Sequence, residues 1–355
     1  MVCMMSAYLA GAPPAAASGT TLLGVYYGNQ GWAMSDVRNM EAWQGKKHAV
    51  VNLFTDWCGQ TKEMNNLFGL QLPNIWNNAN VPMITWQVTL CSSTPNNVDA
   101  QAAAGTYDSY LKSWAARLKT FVSGPDGVYG TADDRRAYLR LGHEMNGNWY
   151  PWSAAGTANT PKDYVAMWQH VKGIFDAQGL DASHVQWVWC VNATDNGGFT
   201  AEQYYPGDSF VNWVAIDGYN WGTSQSWSSW QTPSQVFDPM LNRIRALTAK
   251  PVAITEVASS TATAGGTSVA AKSQWIGDFF SYIAANQIGM VSWFNTDKET
   301  DWAVFGGSHG DGTYKVGPTV YNTYAAYKQA VSAANLVSST PGAARLLSDA
   351  QFSGQ

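Results

Sequence analysis

Two carboxylates, each at the mouth of an apolar stretch, are the residues of this sequence best placed to do chemistry. The run Tyr138-Leu139-Arg140-Leu141-Gly142-His143-Glu144-Met145-Asn146-Gly147-Asn148-Trp149-Tyr150-Pro151-Trp152 leads from a strand-like segment into His-Glu, then into a loop of Asn, Gly and Trp. A second run, Pro251-Val252-Ala253-Ile254-Thr255-Glu256-Val257-Ala258, has the same apolar lead and the same acidic ending. A carboxyl can move a proton while flat indoles stack on pyranose faces, so the pattern suits cleavage of a sugar chain. Retaining glycosidases use two such groups, roughly 5–5.5 Å apart. Lys and Arg together number only 20 in 355 residues, which makes structural ion pairs the poorer explanation of both glutamates.

The neighbours fit supporting roles. His143 is placed to orient the Glu144 carboxyl or a sugar 2-hydroxyl. Arg140, inside the strand, needs an anionic partner once buried, and Glu256 is the candidate. Such a contact would keep Glu256 ionised, which suits a nucleophile. Tyr219, in Asp217-Gly218-Tyr219-Asn220-Trp221, can donate a hydrogen bond to Glu256. Trp86, Trp149, Trp152, Trp221 and Trp293 fall at strand ends or in the loops that follow, and with Asn220 they are the expected substrate-binding residues; Trp293 is the expected floor of the scissile sugar.

Positioning these groups requires a scaffold with many strand ends at one face. Eight short apolar runs read as strands buried on both sides: Leu22–Tyr27, Ala49–Thr55, Pro82–Val88, Ala137–Gly142, Val185–Val191, Trp213–Tyr219, Pro251–Thr255 and Met290–Phe294. Helical stretches lie between them: Ser35–Trp43, Val98–Val122, Lys162–Ala177 behind the Thr160-Pro161 cap, Ser234–Leu247, Val269–Ala285 and Thr319–Ala333. Weaker helix signals occupy Thr61–Leu70 and Glu202–Tyr205. Eightfold strand–helix alternation predicts a single (β/α)8 barrel with Glu144 ending the fourth strand and Glu256 the seventh. A doubly wound sheet is the poorer fit, since no Gly-rich phosphate loop follows the first strand.

Bulk properties narrow the partners. Charged residues make up 13%, against about 25% in an average chain. The net charge of −5 offers no basic stripe for nucleic acid, and no apolar run has the length of a membrane span. Tryptophan is over-represented, with 18 copies, many beside Gly, Asn or Ser, which reads as a stacking surface. Residues 1–19, with apolar Val2–Leu9 and small-residue cleavage sites but no basic start, read as an export leader. Residues 20–335 form the barrel and 336–355 a loosely attached tail. Cys58 and Cys91 follow neighbouring strands and are candidates for a disulfide; Cys190 reads as a buried small hydrophobe. No Cys/His spacing suits zinc. Asp126, Asp133 and Asp134 could hold calcium, but Asp-Gly clusters are ordinary turn formers. No metal or cofactor is expected, and the chain is expected to be a monomer.

Arg140 to Trp152 resembles the acid/base motif of glycoside hydrolase family 26, retaining β-glycanases on (β/α)8 barrels. Ile254–Ser259 is similar to that family's nucleophile strand. Ile216–Thr223, with Trp227 and Trp230 after it, resembles its sixth strand, and Trp293-Phe294 through Lys298–Trp302 its eighth. The likeness covers nearly the whole chain. Most of the wider clan has Asn before the acid/base Glu, and His in that place marks this family. Leu141-Gly142 departs from the family, where many members carry Pro and a bulky apolar residue. The resemblance implies Glu144 as acid/base and Glu256 as nucleophile. The implied substrate is β-mannan or mixed-linkage β-glucan, with β-1,3-xylan, transglycosylation, or a non-hydrolytic carbohydrate-binding barrel as alternatives.

Overall fold

The computed structural model describes residues 19–355; residues 1–18 of the leader-like segment, Cys3 among them, lie outside these. Eight parallel strands close on themselves in chain order: β1 (Thr21–Tyr26), β2 (Val50–Asp56), β3 (Val81–Gln87), β4 (Ala137–Leu141), β5 (Val185–Asn192), β6 (Trp213–Asn220), β7 (Val252–Ser259) and β8 (Met290–Phe294). β8 pairs with β1, which completes a single (β/α)8 barrel. The run VWCV in β5 is apolar on both faces because one face meets the barrel interior and the other the helices.

The helices form where the sequence punctuates them. Pro161–Ala177 starts at a capping box: Thr160 accepts from the Asp163 N–H, and Asp163 returns a bond to the Thr160 N–H. Loss of such a cap costs about 1 kcal/mol. Tyr164, Trp168, Val171 and Phe175 then recur at helical spacing and are buried. Pro233–Leu247 begins in the same way, with Thr232 and Gln235. The stretch read as one helix over Val98–Val122 is two, Val98–Ala103 and Asp108–Val122, because the chain turns through Gly105 at φ +85°. The Thr319–Ala333 helix is only Ala325–Val331. Before it, Gly312–Val316 and Thr319–Thr323 make an antiparallel hairpin over Gly317. Thr-Val-Tyr-Asn-Thr has the β-branched alternation of a strand, and that pattern wins locally.

The segment 336–355 is packed, not loose. Leu336–Val337 pairs with β1, and Leu346, Leu347 and Phe352 are buried with Tyr138, Trp213 and Met290 at the N-terminal end of the barrel. Tyr138 and Trp213 donate to the Phe352 carbonyl, and Arg136 donates to the Leu347 carbonyl. The bottom of the barrel is therefore closed, leaving the C-terminal mouth as the open end.

Cys58 and Cys91 form a disulfide that staples the loops after β2 and β3, and Cys190 is buried inside the barrel. The three aspartates considered for calcium serve their own turn. Asp126 accepts from Val128 N–H, Asp133 from Asp126 N–H and Thr131, and buried Asp134 from Gly130 N–H while facing His184 Nε2 at 2.6 Å.

Candidate active site

The site rests on a polar layer near the C-terminal end of the barrel. Arg140 projects inward from β4 and is fully buried. Its guanidinium donates to Thr85 Oγ1 (2.9 Å), Asp217 Oδ2 (2.5 Å) and Thr255 Oγ1 (3.3 Å), and to Glu256 Oε1. Burial alone would discharge it, but Asp217 and Glu256 outweigh that and hold it charged. The guanidinium also lies over the Phe54 ring, 5.6 Å from its centre.

Glu256 reaches this layer through a local irregularity. β6 pairs Ile216 with Ile254 and then Asp217 with Glu256, so Thr255 is an extra residue in β7; pairing with β8 shifts at the same place. Strict alternation would send Thr255 and Glu256 to opposite faces. With the bulge both point inward, where Thr255 donates to Asp217 Oδ1 (2.7 Å). β7 then continues to Ser259, so Glu256 sits within the strand and not at its end. Tyr219 donates to Glu256 Oε2 at 2.5 Å, leaving the carboxylate held on both oxygens.

Glu144 lies three residues beyond β4 in a tight turn. Gly142 and Glu144 both have positive φ, +50° and +54°. For Glu this conformation costs roughly 1–3 kcal/mol, a strain typical of functional sites. It also accounts for the glycine: a Cβ at 142 would lie 3.2 Å from Tyr164 and 3.4 Å from Trp152. Glu144 N–H is fixed by the Cys190 carbonyl (2.9 Å), and its Oε2 accepts from Trp149 Nε1 (2.9 Å). Gly147 allows the indole to lie over its own loop, since a Cβ there would be 2.6 Å from the Trp149 ring.

The electrostatics follow from counting. One guanidinium faces three carboxyls, more negative charge than a buried site holds. Burial, then Asp217, then Glu256 push the Glu144 pKa well above the usual carboxylate range, against a smaller opposing effect of Trp149. Burial and Glu256 push Asp217 up to about 7 despite Arg140. The environment thus favours the protonated form at Glu144, while Arg140 and Tyr219 both donate to Glu256.

Other expected residues land differently. His143 is buried, and burial, with Arg140, lowers its pKa well below the usual range, so the ring is neutral. Its Nε2 meets Tyr150 OH (3.1 Å), not Glu144; Trp149 orients Glu144 instead. Trp152 is also buried, stacked on Tyr150 at 4.2 Å with its N–H on the His143 carbonyl, so it supports the turn from behind. Trp86 stacks on Trp114 at 4.1 Å, between barrel and helices. Trp293 likewise points outward, against Trp275, Phe279 and Tyr327, while Ser292 and Phe294 take the inward positions of β8. Period-two alternation put these indoles on the wrong face for sugar. Asn220 Oδ1 accepts from Gly222 and Gln231 N–H and so pins both ends of the loop after β6.

The aromatic wall keeps the expected Trp221 and Tyr219 and joins to them Trp302 and Trp227. Tyr219 packs on Trp302 (5.0 Å), Trp302 on Trp221 (4.8 Å) and Trp221 on Trp227 (5.2 Å), running from beside Glu256 to the rim. Among the described residues the exposed indoles are Trp32, Trp149 and Trp227, at 50%, 47% and 70%, and all three lie in loops that follow barrel strands. Most of the remaining tryptophans are core. Tyr26, Phe54, Tyr150 and Trp302 at the site were not singled out from sequence. Tyr150 had a signal, a polar-tipped ring inside the Trp-Tyr-Pro-Trp run.

Residues 136–242, from β4 into the helix after β6, match the profile of Glycosyl hydrolase family 26. This barrel belongs to that family. Endoglucanase H of Acetivibrio thermocellus is 33% identical over 288 residues, covering 79% of this chain and 28% of the relative. Mannan endo-1,4-beta-mannosidase of Bacillus subtilis is 27% identical over 158 residues, 42% of each chain. The chain thus spans less than half the length of either curated relative. Among solved structures, a GH26 beta-mannanase from Bacteroides ovatus superposes with a TM-score of 0.57 at 15% identity, covering 80% of this chain and 84% of the other; at that identity the likeness concerns the fold.

Proposed function

We propose that this barrel is a retaining endo-β-glycanase acting on a β-1,4-containing plant polysaccharide. The observation that carries the reading is the division of the carboxyls. Glu144 is buried beside Trp149 with its pKa pushed well above the usual carboxylate range, and Glu256 is bound on both oxygens by Arg140 and Tyr219. In the first step Glu256 attacks the anomeric carbon and the C–O bond to the leaving sugar breaks, with Glu144 giving its proton to the departing oxygen. In the second, Glu144, now a carboxylate, takes a proton from water, whose oxygen displaces Glu256 from the anomeric carbon. Asp217 shares Arg140 with the nucleophile, and Tyr219 hydrogen-bonds the carboxylate whenever it is free.

A β-glucan backbone is the favoured substrate, because the match to an endoglucanase is longer and higher in identity than the match to a mannosidase. Mannan is the second reading, supported by the latter relative. Endo action is supported by the exposed indoles on three separate loops around the mouth, which suit a chain lying across an open cleft. Export belongs to the same proposal and rests on the leader-like start and on a disulfide of the kind that persists in oxidising compartments. No helix among the described residues is long and apolar enough to cross a membrane.

The test is reducing-sugar release and viscosity on barley β-glucan, galactomannan, carboxymethylcellulose and β-1,3-xylan. Fastest release on barley β-glucan with an early collapse in viscosity is expected. Release of a single disaccharide with viscosity nearly unchanged would contradict endo action, and no release from any of the four would contradict the glycanase reading.

A further inference from the structure

Helix Val269–Ala285 carries a fully buried lysine, Lys272, at a place where an apolar side chain would pack. Its ammonium donates to the backbone carbonyls of Asp301 and Ala303, the latter at 3.0 Å. It lies 3.7 Å from the Asp301 carboxylate and 4.8 Å from the centre of the Tyr324 ring. The residue between those two carbonyls is Trp302. The Trp302 carbonyl accepts from Trp293 Nε1 (3.1 Å), so three consecutive carbonyls of the loop after β8 are held from the helix side.

The same loop is tied to the end of β7. Asp301 Oδ1 accepts from Thr261 N–H (3.0 Å) and from the Ser260 (3.1 Å) and Thr300 (3.1 Å) hydroxyls. What this grip holds is the Trp302 ring, itself buried and packed behind Tyr219 and Trp221. Tyr219 is the hydrogen-bond donor to Glu256, and Trp221 supports exposed Trp227.

Burying an ammonium costs several kcal/mol, and an apolar residue of similar volume often packs there as well or better. Burial indeed lowers Lys272 to about 8 against the opposing pull of Asp301 and Asp297. An ammonium can donate to two carbonyls at once while its charge faces the Asp301 carboxylate, which no apolar side chain can do.

We propose that Lys272 is a positioning residue for the glycan cleft. By gripping the chain on either side of Trp302, it sets the aromatic wall that backs Tyr219 and extends to Trp227. The proposal rests on the glycanase reading above, because it assigns that wall to substrate.

The experiment compares the wild-type chain with Lys272→Met, which keeps the volume and removes the donors, and with Ile283→Val, a core change on the same helix. Hydrogen exchange followed by mass spectrometry and steady-state kinetics on β-glucan oligosaccharides are read together. In K272M, amides of residues 296–304 should exchange about tenfold faster, the equivalent of one lost charge-assisted hydrogen bond, with KM rising by a similar factor. I283V, destabilised by core loss, should leave both at wild-type values. If K272M does not fold, Asp301→Asn removes the charge facing the ammonium while its amide oxygen can still accept from Thr261, Ser260 and Thr300, and it should move exchange and KM in the same direction. Unchanged exchange and KM in the lysine variant, or equal changes in both variants, would overturn the clamp. Faster loop exchange in K272M, with a wild type that cleaves no β-glycan, would refute the glycanase reading while leaving the grip on the loop standing.

Discussion

Replacing Trp149 by Phe separates proton transfer from sugar stacking. The indole N–H donates to Glu144 Oε2 at 2.9 Å, and the ring is 47% exposed. Phe keeps an aromatic face and loses the donor. As Glu144 hands over its proton it becomes a carboxylate, and a hydrogen bond to a charged group is worth about 1.5–3 kcal/mol. With the charge partly developed at the transition state, about 1–2 kcal/mol should be lost, or roughly 5- to 30-fold in kcat/KM. The loss should appear on polysaccharide and unactivated oligosaccharides. It should nearly vanish on aryl glycosides whose leaving group needs no proton. The sign of the pH effect is also set: Trp149 lowers the Glu144 pKa, so W149F should move the alkaline limb of the rate profile to higher pH. An exposed position makes a stability change beyond about 0.5 kcal/mol unexpected. Equal losses on activated and unactivated substrates, with an unmoved alkaline limb, would show that Trp149 only stacks and that the reasoning about Glu144 is wrong.

Further outcomes follow from the same geometry. Phe352→Ala should destabilise the barrel by about 3–5 kcal/mol in urea unfolding, since the ring fills the N-terminal end with Tyr138 and Trp213; an unchanged midpoint would mean the C-terminal segment is dispensable. Asp217 is raised to about 7, so its share of stability is complete below its unfolded pKa near 4 and is lost as pH rises through 7; Asp217→Asn should therefore flatten the fall in melting temperature over that window, and an unaltered slope would contradict the assignment. Trp227→Ala should raise KM on polymer while leaving the melting temperature alone, whereas Trp86→Ala, by removing a buried stacked ring, should cost about 3–5 kcal/mol in stability; the reverse pattern would restore the roles read from sequence.

Much of the scaffold was legible because strands buried on both faces are plain in composition: all eight apolar runs became barrel strands within a few residues of their expected bounds. Where reading failed, the deciding information was not local. Trp86 and Trp293 sit on barrel strands as expected, but which face they take depends on register with their neighbours. The inward turn of Glu256 depends on Thr255 being an extra residue against both β6 and β8, and nothing within Ile-Thr-Glu-Val announces that bulge. The need of buried Arg140 for an acid was readable, whereas its second acid, Asp217, required the contact of β4 with β6 across the barrel. The C-terminal segment looked loose because its few apolar residues are scattered; they are buried only because the barrel's open bottom awaits them.

The central claim is that Glu256 forms a covalent bond to the sugar while Glu144 manages the proton. It is tested most directly by trapping. An activated 2-deoxy-2-fluoro β-glycoside should form its glycosyl-enzyme faster than the intermediate hydrolyses, and peptide mass spectrometry then locates the bond. The account predicts a single adduct on Glu256, present also when Glu144 is replaced by Ala. An adduct on Glu144 or Asp217, or turnover without any adduct and with the α-anomer as first product, would contradict it.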